Sequence, residues 1–255
     1  MKKLKLLLEY DGTAYQGWQI QKTGLTIQGI LEEKIVKITG SQSSVIGASR
    51  TDAGVHALGQ VATFRTESNL HPDRIKGALN ALLPEEIRVI DASQVDESFH
   101  PRHDAQRKIY FYIISNRRES SAFLHKYVWG VKQPLEIQSM IEASQFLIGK
   151  QDFSSFQGTG SDARNQVREI FSLKIERVEE MDFMTAHVGG KFIKIQMEAD
   201  GFLRHMARNI VGSLVEIGRG RIESHLMEEI LESRNRRLAG PTAPAHGLFL
   251  ERIIY

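Results

Sequence analysis

The order of segments along this chain constrains its fold more than any other feature: β-α-β-β-α-β runs once and then, with one extra helix, again. In the first half, an alternating run from Lys3 to Tyr10 predicts a strand. A helix follows from about Thr26 to Ile38, where Ile27, Ile30, Leu31, Ile35 and Ile38 form one stripe. Extended segments at Ser44 to Ala48 and Gln60 to Arg65, a helix at Pro72 to Leu83 and a strand at Ile87 to Ala92 complete the set. The second half opens on a strand at Lys108 to Ile114 and continues to a helix at Leu135 to Ile148 and strands at Glu169 to Val178 and Lys191 to Glu198. A helix at Phe202 to Ile217, a short one at His225 to Ser233 and a strand at Leu248 to Ile254 close it. Units of this order are ferredoxin-like, and two can join edge to edge. The expectation is an α+β fold in which two ferredoxin-like halves, residues 1–102 and 103–255, share one mainly antiparallel sheet with helices on one face.

A chain of 255 residues can bury roughly three quarters of the surface it exposes when unfolded, so no metal or disulfide is required to hold it. It has no cysteine, which excludes thiol nucleophiles and thiolate metal sites and fits a reducing compartment. The opening Met1 to Leu8 has the flavour of a signal peptide, but its apolar stretch is short and Glu9 and Asp11 end it; no run reaches membrane-spanning length. A cytoplasmic protein without a membrane partner is the expectation. Net charge is +2, which permits a nucleic-acid partner without demanding one. Basic residues gather at Arg102 to Arg118, Arg204 to Arg221 and Arg234 to Arg237, although any one such cluster is ordinarily a solvated face.

Strand alternation suggests which face of the sheet is open. In Lys108 to Ile114, Ile109, Phe111 and Ile113 alternate with Lys108, Tyr110 and Tyr112; in Lys191 to Glu198, Ile193, Ile195 and Met197 alternate with Lys194, Gln196 and Glu198. An aliphatic face would meet the helices and leave a polar, aromatic one exposed. Lysine and tyrosine there suit an open RNA-binding cleft, since every base offers a π-face and every phosphate a charge. Ordinary solvent exposure explains the same pattern.

The segment Arg50-Thr51-Asp52-Ala53-Gly54-Val55-His56-Ala57 puts a carboxylate beside an arginine in a turn of small residues, just before the extended run Gln60 to Phe64. A neighbouring guanidinium favours an ionised carboxylate, the state of a nucleophile and not of a general acid. An Asx-turn is the plain alternative. Arg208, on the helix expected at Phe202 to Ile217, can pair with Asp52 or be a structural surface arginine. Tyr110 can stack on a base or pack at a sheet edge. His56 is left outside the catalytic set, because a histidine in so tight a loop more often satisfies backbone. His205 and His246 lack a partner at ligand spacing, and Gly158-Thr159-Gly160 lacks the lysine of a phosphate loop, so no metal or organic cofactor is expected.

Together these segments resemble the bacterial tRNA pseudouridine synthase A family, nearly end to end. The resemblance is carried by Glu9-Tyr10-Asp11-Gly12-Thr13 with Tyr15-Gln16-Gly17-Trp18-Gln19, by Arg50 to Ala57, and by Tyr110. It continues in Asp152-Phe153-Ser154-Ser155-Phe156, in Gly201-Phe202-Leu203 with Met206 to Gly212, and in Gly240-Pro241-Thr242-Ala243-Pro244. Ser49 stands where the family often has glycine. The resemblance implies isomerisation of uridine to pseudouridine at positions 38, 39 and 40 in the tRNA anticodon stem-loop, by a homodimer without metal or cofactor. It implies Asp52 as the catalytic aspartate, Tyr110 as the active-site tyrosine, and Arg50 and Arg208 as the motif arginines. Two other readings stay open on the residues alone, a non-catalytic RNA-binding protein and an N-glycosidic hydrolase.

Overall fold

The computed structural model describes residues 1–119, 121–160, 165–183 and 186–255, and of 183, 186 and 187 the backbone only. In chain order its regular elements are β1 (Lys2–Tyr10), α1 (Ile27–Thr39), β2 (Ile46–Gly47), β3 (His56–Thr66), α2 (Pro72–Leu82), β4 (Ile87–Val95), β5 (Arg107–Ser115) and β6 (Trp129–Gly130). There follow α3 (Ile137–Gln145), β7 (Gly149–Asp152), β8 (Val167–Phe183), β9 (Ala186–Ala199), α4 (Met206–Gly218), α5 (Leu226–Glu232) and β10 (Leu248–Ile254). The fold is α+β with mainly antiparallel strands. It divides into two compact units, Met1–Gln106 with Phe249–Tyr255, and Arg107–Leu248.

In the first unit the strand order is β4-β1-β3-β10, with β2 against β3. β1 lies antiparallel between β3 and β4, and β10 runs parallel to β3 through Phe249 opposite His56 and Leu250 opposite Ala57. Leu4, Leu6 and Leu8 are fully buried, as period-two alternation requires. α1 starts where the Thr26 hydroxyl accepts from the Gly29 N–H (3.3 Å) and ends at Gly40, and it buries Ile27, Ile30, Leu31 and Ile35. α2 begins on Pro72 and buries Ile75 and Leu79. It is tied to β4 by Asn80, whose amide donates to Val89 O (2.9 Å) and accepts from Val89 N (2.8 Å).

The closing strand, read from the sequence as part of the second half, thus groups with the first unit. Alternation shows that a segment is a strand but not which strand it will pair with; Phe249 and Leu250 pair with β3.

In the second unit the order is β5-β9-β8-β7, all antiparallel, with β6 parallel to β5. The exposed polar face expected on β5 is absent. Lys108, Tyr110 and Tyr112 are buried, as are Ile109 and Ile113, so most of both faces of this strand is covered. α4 departs from expectation in two ways. It begins at Met206, not Phe202, because His205 takes a left-handed conformation (φ 60°) that a helix cannot include. Arg204 therefore lies before the helix, where its guanidinium donates to Thr159 O and Gly160 O (both 3.0 Å). The helix is also buried nearly all round and not along one stripe: Asn209 and Ser213 are as buried as Ile210 and Leu214. Two buried polar side chains require partners, and those partners define the surroundings of Arg208.

Candidate active site

The Asp52 segment is a clamped turn. Val55 N–H donates to Asp52 O (3.1 Å), closing a four-residue turn whose third position, Gly54, has φ of 77°. Glycine supplies that conformation without the steric cost of a Cβ. The segment from Tyr10 to Trp18 wraps this turn. Trp18 N–H donates to Thr51 O (3.0 Å), and Gly54 N–H donates to Tyr15 O (3.3 Å). Beneath it, the buried Tyr10 hydroxyl bonds the Thr51 hydroxyl (2.8 Å). The fully buried Gln60 amide donates to Ser49 O (2.7 Å) and Tyr10 Oη (3.3 Å) and accepts from Ser49 N–H (3.2 Å). Burial pushes the Tyr10 hydroxyl up to about 12, with the bonds to Thr51 and Gln60 opposing it. Ser49 and Thr51 are buried and flank the exposed Arg50, while Asp52 is half-buried. The chain thus fixes the backbone on both sides of Arg50 and leaves its side chain outward.

His56 has the structural role anticipated for it. It is buried, its Nδ1 accepts from Gly12 N–H (3.1 Å) beside Asp11 Oδ1 (3.1 Å), and its ring stacks on Phe249 at 4.6 Å. These contacts hold the end of β1 to the end of the turn.

Tyr110 and Arg208 belong to the second unit. Tyr110 is 5% exposed, opposite Met197 on β9, and meets Phe202 edge to face at 5.0 Å. Arg208 is half-buried in the first turn of α4, where its Nε donates to Ala243 O (2.8 Å) and its carbonyl accepts from Ala243 N–H (3.1 Å). The Gly240 to Pro244 segment is what fixes this end of the helix. Asn209 Oδ1 accepts from Arg236 (2.9 Å) and the Thr242 hydroxyl (2.6 Å), and its amide donates to Phe156 O (2.7 Å). Ser213 accepts from Gly240 N–H (2.8 Å), and Tyr112 Oη donates to Pro244 O (2.8 Å).

Sequence reasoning missed Asn209, Arg236 and Thr242 as the supports of Arg208. The available signal was a polar residue in an otherwise apolar helix, which must be answered by a partner elsewhere. The Arg234 to Arg237 cluster is accordingly not a uniform solvated face, since Arg236 is built into this network and Arg234 pairs with Asp152 (3.1 Å). The arginines after α4 are likewise engaged within the protein: Arg219 and Arg221 both bond Glu216, at 2.7 and 2.9 Å. Among the described residues no group of three or more histidines and carboxylates is placed to hold a metal, and no helix is long and apolar enough to cross a membrane.

Comparison with known proteins gives the family. A family described as tRNA pseudouridine synthase matches residues 7–104 and 143–255, segments that include Arg50, Asp52 and Arg208 but not Tyr110. The chain is 43% identical to the tRNA pseudouridine synthase A of Thermodesulfovibrio yellowstonii and 44% identical to that of a Thermoanaerobacter species, over 100% of each chain. Among solved structures, a chain of a Cbf5-Nop10-Gar1 complex aligns over 83% of this chain and 45% of its own length with a TM-score of 0.33 and 13% identity, too distant to carry an argument. Identity of this extent along the whole sequence is decisive, and the chain belongs to the tRNA pseudouridine synthases, a family of isomerases.

Proposed function

We propose that this protein converts uridine to pseudouridine at positions 38, 39 and 40 of the tRNA anticodon stem-loop, with Asp52 as nucleophile. In this reading Arg208 belongs to the catalytic set with Asp52, Tyr110 and Arg50 bind the substrate nucleotide, and the protein works in the cytoplasm as a homodimer. The observation that carries it is the clamped turn: Asp52 sits on a backbone held from Tyr15, Trp18 and its own Val55, beside the outward-facing Arg50. Such fixing is what a nucleophile requires, because reactivity falls steeply when the attacking atom is misplaced by an ångström.

The isomerisation breaks the bond from N1 to C1′, turns the freed uracil, and joins C5 to C1′. N1 gains a proton and C5 loses one, so the nucleotide keeps its composition and no electrons are exchanged. A carboxylate serves this by adding to C6, by trapping C1′, or by taking the C2′ proton. To reach any of these atoms the uridine must leave its stack, and an aromatic side chain and a guanidinium are the groups that receive an extruded nucleotide.

The test is to incubate the protein with tRNA and analyse its nucleosides. Pseudouridine supports the isomerase, free uracil would establish a hydrolase, and unchanged tRNA would leave only binding. Mapping the product to the anticodon stem-loop tests the site preference separately.

A further inference from the structure

His205 and the Gly158-Thr159-Gly160 segment, neither of which has a cofactor or metal to hold, meet each other. Met206 N–H donates to Leu203 O (3.1 Å) and closes a four-residue turn with His205 in third place, at φ 60° and ψ 0°. That place and that conformation ordinarily call for glycine, because a Cβ crowds the backbone there. The histidine side chain does not cap the helix that follows. It lies against Gly158: a Cβ on that buried glycine would sit 2.6 Å from the ring Nδ1 and 2.9 Å from its Cγ. The glycine thus stands opposite the turn and not within it, which leaves room for the ring.

The two segments also hold each other through the backbone. Gly158 N–H donates to Arg204 O (2.8 Å), the Arg204 guanidinium donates to Thr159 O and Gly160 O, and the Asn209 amide reaches Phe156 O (2.7 Å). The loop is itself anchored by Phe153 and Phe156, both fully buried, and by Ser155 Oγ donating to Ile230 O (2.5 Å). On one side of the left-handed residue Phe202 braces Tyr110. On the other, Arg208 follows three residues later, in a helix whose Asn209 N–H donates to His205 O (2.9 Å). A residue in a sparsely populated backbone conformation persists where its surroundings over-determine it, and such residues cluster at functional sites.

We propose that His205 is a positioning residue for Arg208: its ring, seated on Gly158, fixes where α4 begins and so where the Arg208 guanidinium is held. The proposal rests on the place given above to Arg208 in the catalytic set, and adds to it a residue that acts only through Arg208.

The experiment compares the wild type with His205→Gly, Gly158→Ala, these two together, Arg208→Lys, and Arg208→Lys with His205→Gly. Pseudouridine formation at saturating tRNA, tRNA affinity and thermal melting are measured for each. His205→Gly suits the backbone of the turn and removes only the ring; it should slow turnover roughly ten- to a hundredfold and leave affinity unchanged. Gly158→Ala displaces the ring and should also slow turnover, and the pair should be no slower than His205→Gly alone, because the added methyl then meets no ring. On the Arg208→Lys background His205→Gly should cost nothing further. A residue that serves the turn alone would give a fully active His205→Gly, which overturns the proposal, as would effects of His205→Gly and Arg208→Lys that multiply. A crystal structure of Gly158→Ala reads the same claim without activity: the Arg208 Nε should leave Ala243 O, and an unmoved Arg208 overturns the positioning even if no pseudouridine forms. Wild-type protein that makes no pseudouridine sinks the isomerase reading, and Arg208→Lys at full rate removes Arg208 from the catalytic set and the proposal with it.

Discussion

Gly17 lies against Thr51 so closely that a Cβ on Gly17 would sit 2.5 Å from the Thr51 carbonyl oxygen and 2.9 Å from the Asp52 carbonyl carbon, and Gly17 itself has φ of 86°. The position of the candidate nucleophile is therefore set in part by a residue thirty-five places earlier that has no side chain. Both atoms are backbone and cannot swing aside. Gly17→Ala should destabilise the protein by roughly 1–3 kcal/mol and reduce turnover beyond what the lost folded fraction accounts for, because the turn itself must shift. Denaturant unfolding and single-turnover rates on the folded fraction check this; a normal rate would show that the turn tolerates displacement.

Asp52→Asn keeps the shape of the side chain and removes its charge. Turnover should fall by on the order of 10⁴ to 10⁶, the range found when members of a catalytic group are removed. Affinity for tRNA should stay within about threefold, because affinity rests on many phosphate contacts. Nucleoside analysis and binding titrations measure the two. Substantial residual turnover would take the nucleophile's role from Asp52.

Tyr110 separates stacking from hydroxyl chemistry. It is almost fully buried and braced on Phe202, so Tyr110→Ala would open a cavity worth about 3–5 kcal/mol and confound any kinetic reading. Tyr110→Phe preserves the packing. It should melt close to the wild type and lose turnover only to the extent that the hydroxyl takes part. If Phe and Ala proved equally inactive while Phe stayed folded, stacking would not be the role of this ring.

Much of this was legible in the residues. The stripe of Ile27, Ile30, Leu31 and Ile35 is the buried side of α1, the leucine alternation of β1 survives intact, and the small-residue turn around Asp52 announced itself by composition. What was hidden depends on tertiary contact. The period-two pattern of β5 reads as one open face, yet Tyr112 is fully buried with its hydroxyl on Pro244 O. The amphipathic pattern of α4 was likewise overridden, since the buried Asn209 is answered by Arg236 and Thr242 from twenty-seven and thirty-three residues away. A residue pattern records what a segment prefers to bury, and distant polar partners change what it is able to bury.

The hydroxyl of Tyr10 carries a stability term with a definite sign. An unfolded tyrosine titrates near 10, and in the folded protein burial raises Tyr10 to about 12. Between those values the folded state keeps a proton that the unfolded chain has lost, so the contribution is full below pH 10 and is lost as pH rises through about 12. Tyr112 and Tyr255 are raised by burial in the same direction. The protein should therefore unfold progressively more easily over this alkaline range, with tyrosinate absorbance appearing together with loss of structure. Tyr10→Phe removes one of these protons and also a bond to Thr51 and an acceptor for Gln60. It should be less stable at neutral pH by about 1–2 kcal/mol and yet lose less stability than the wild type on going alkaline. Equal alkaline losses in the two proteins would assign the effect to other groups.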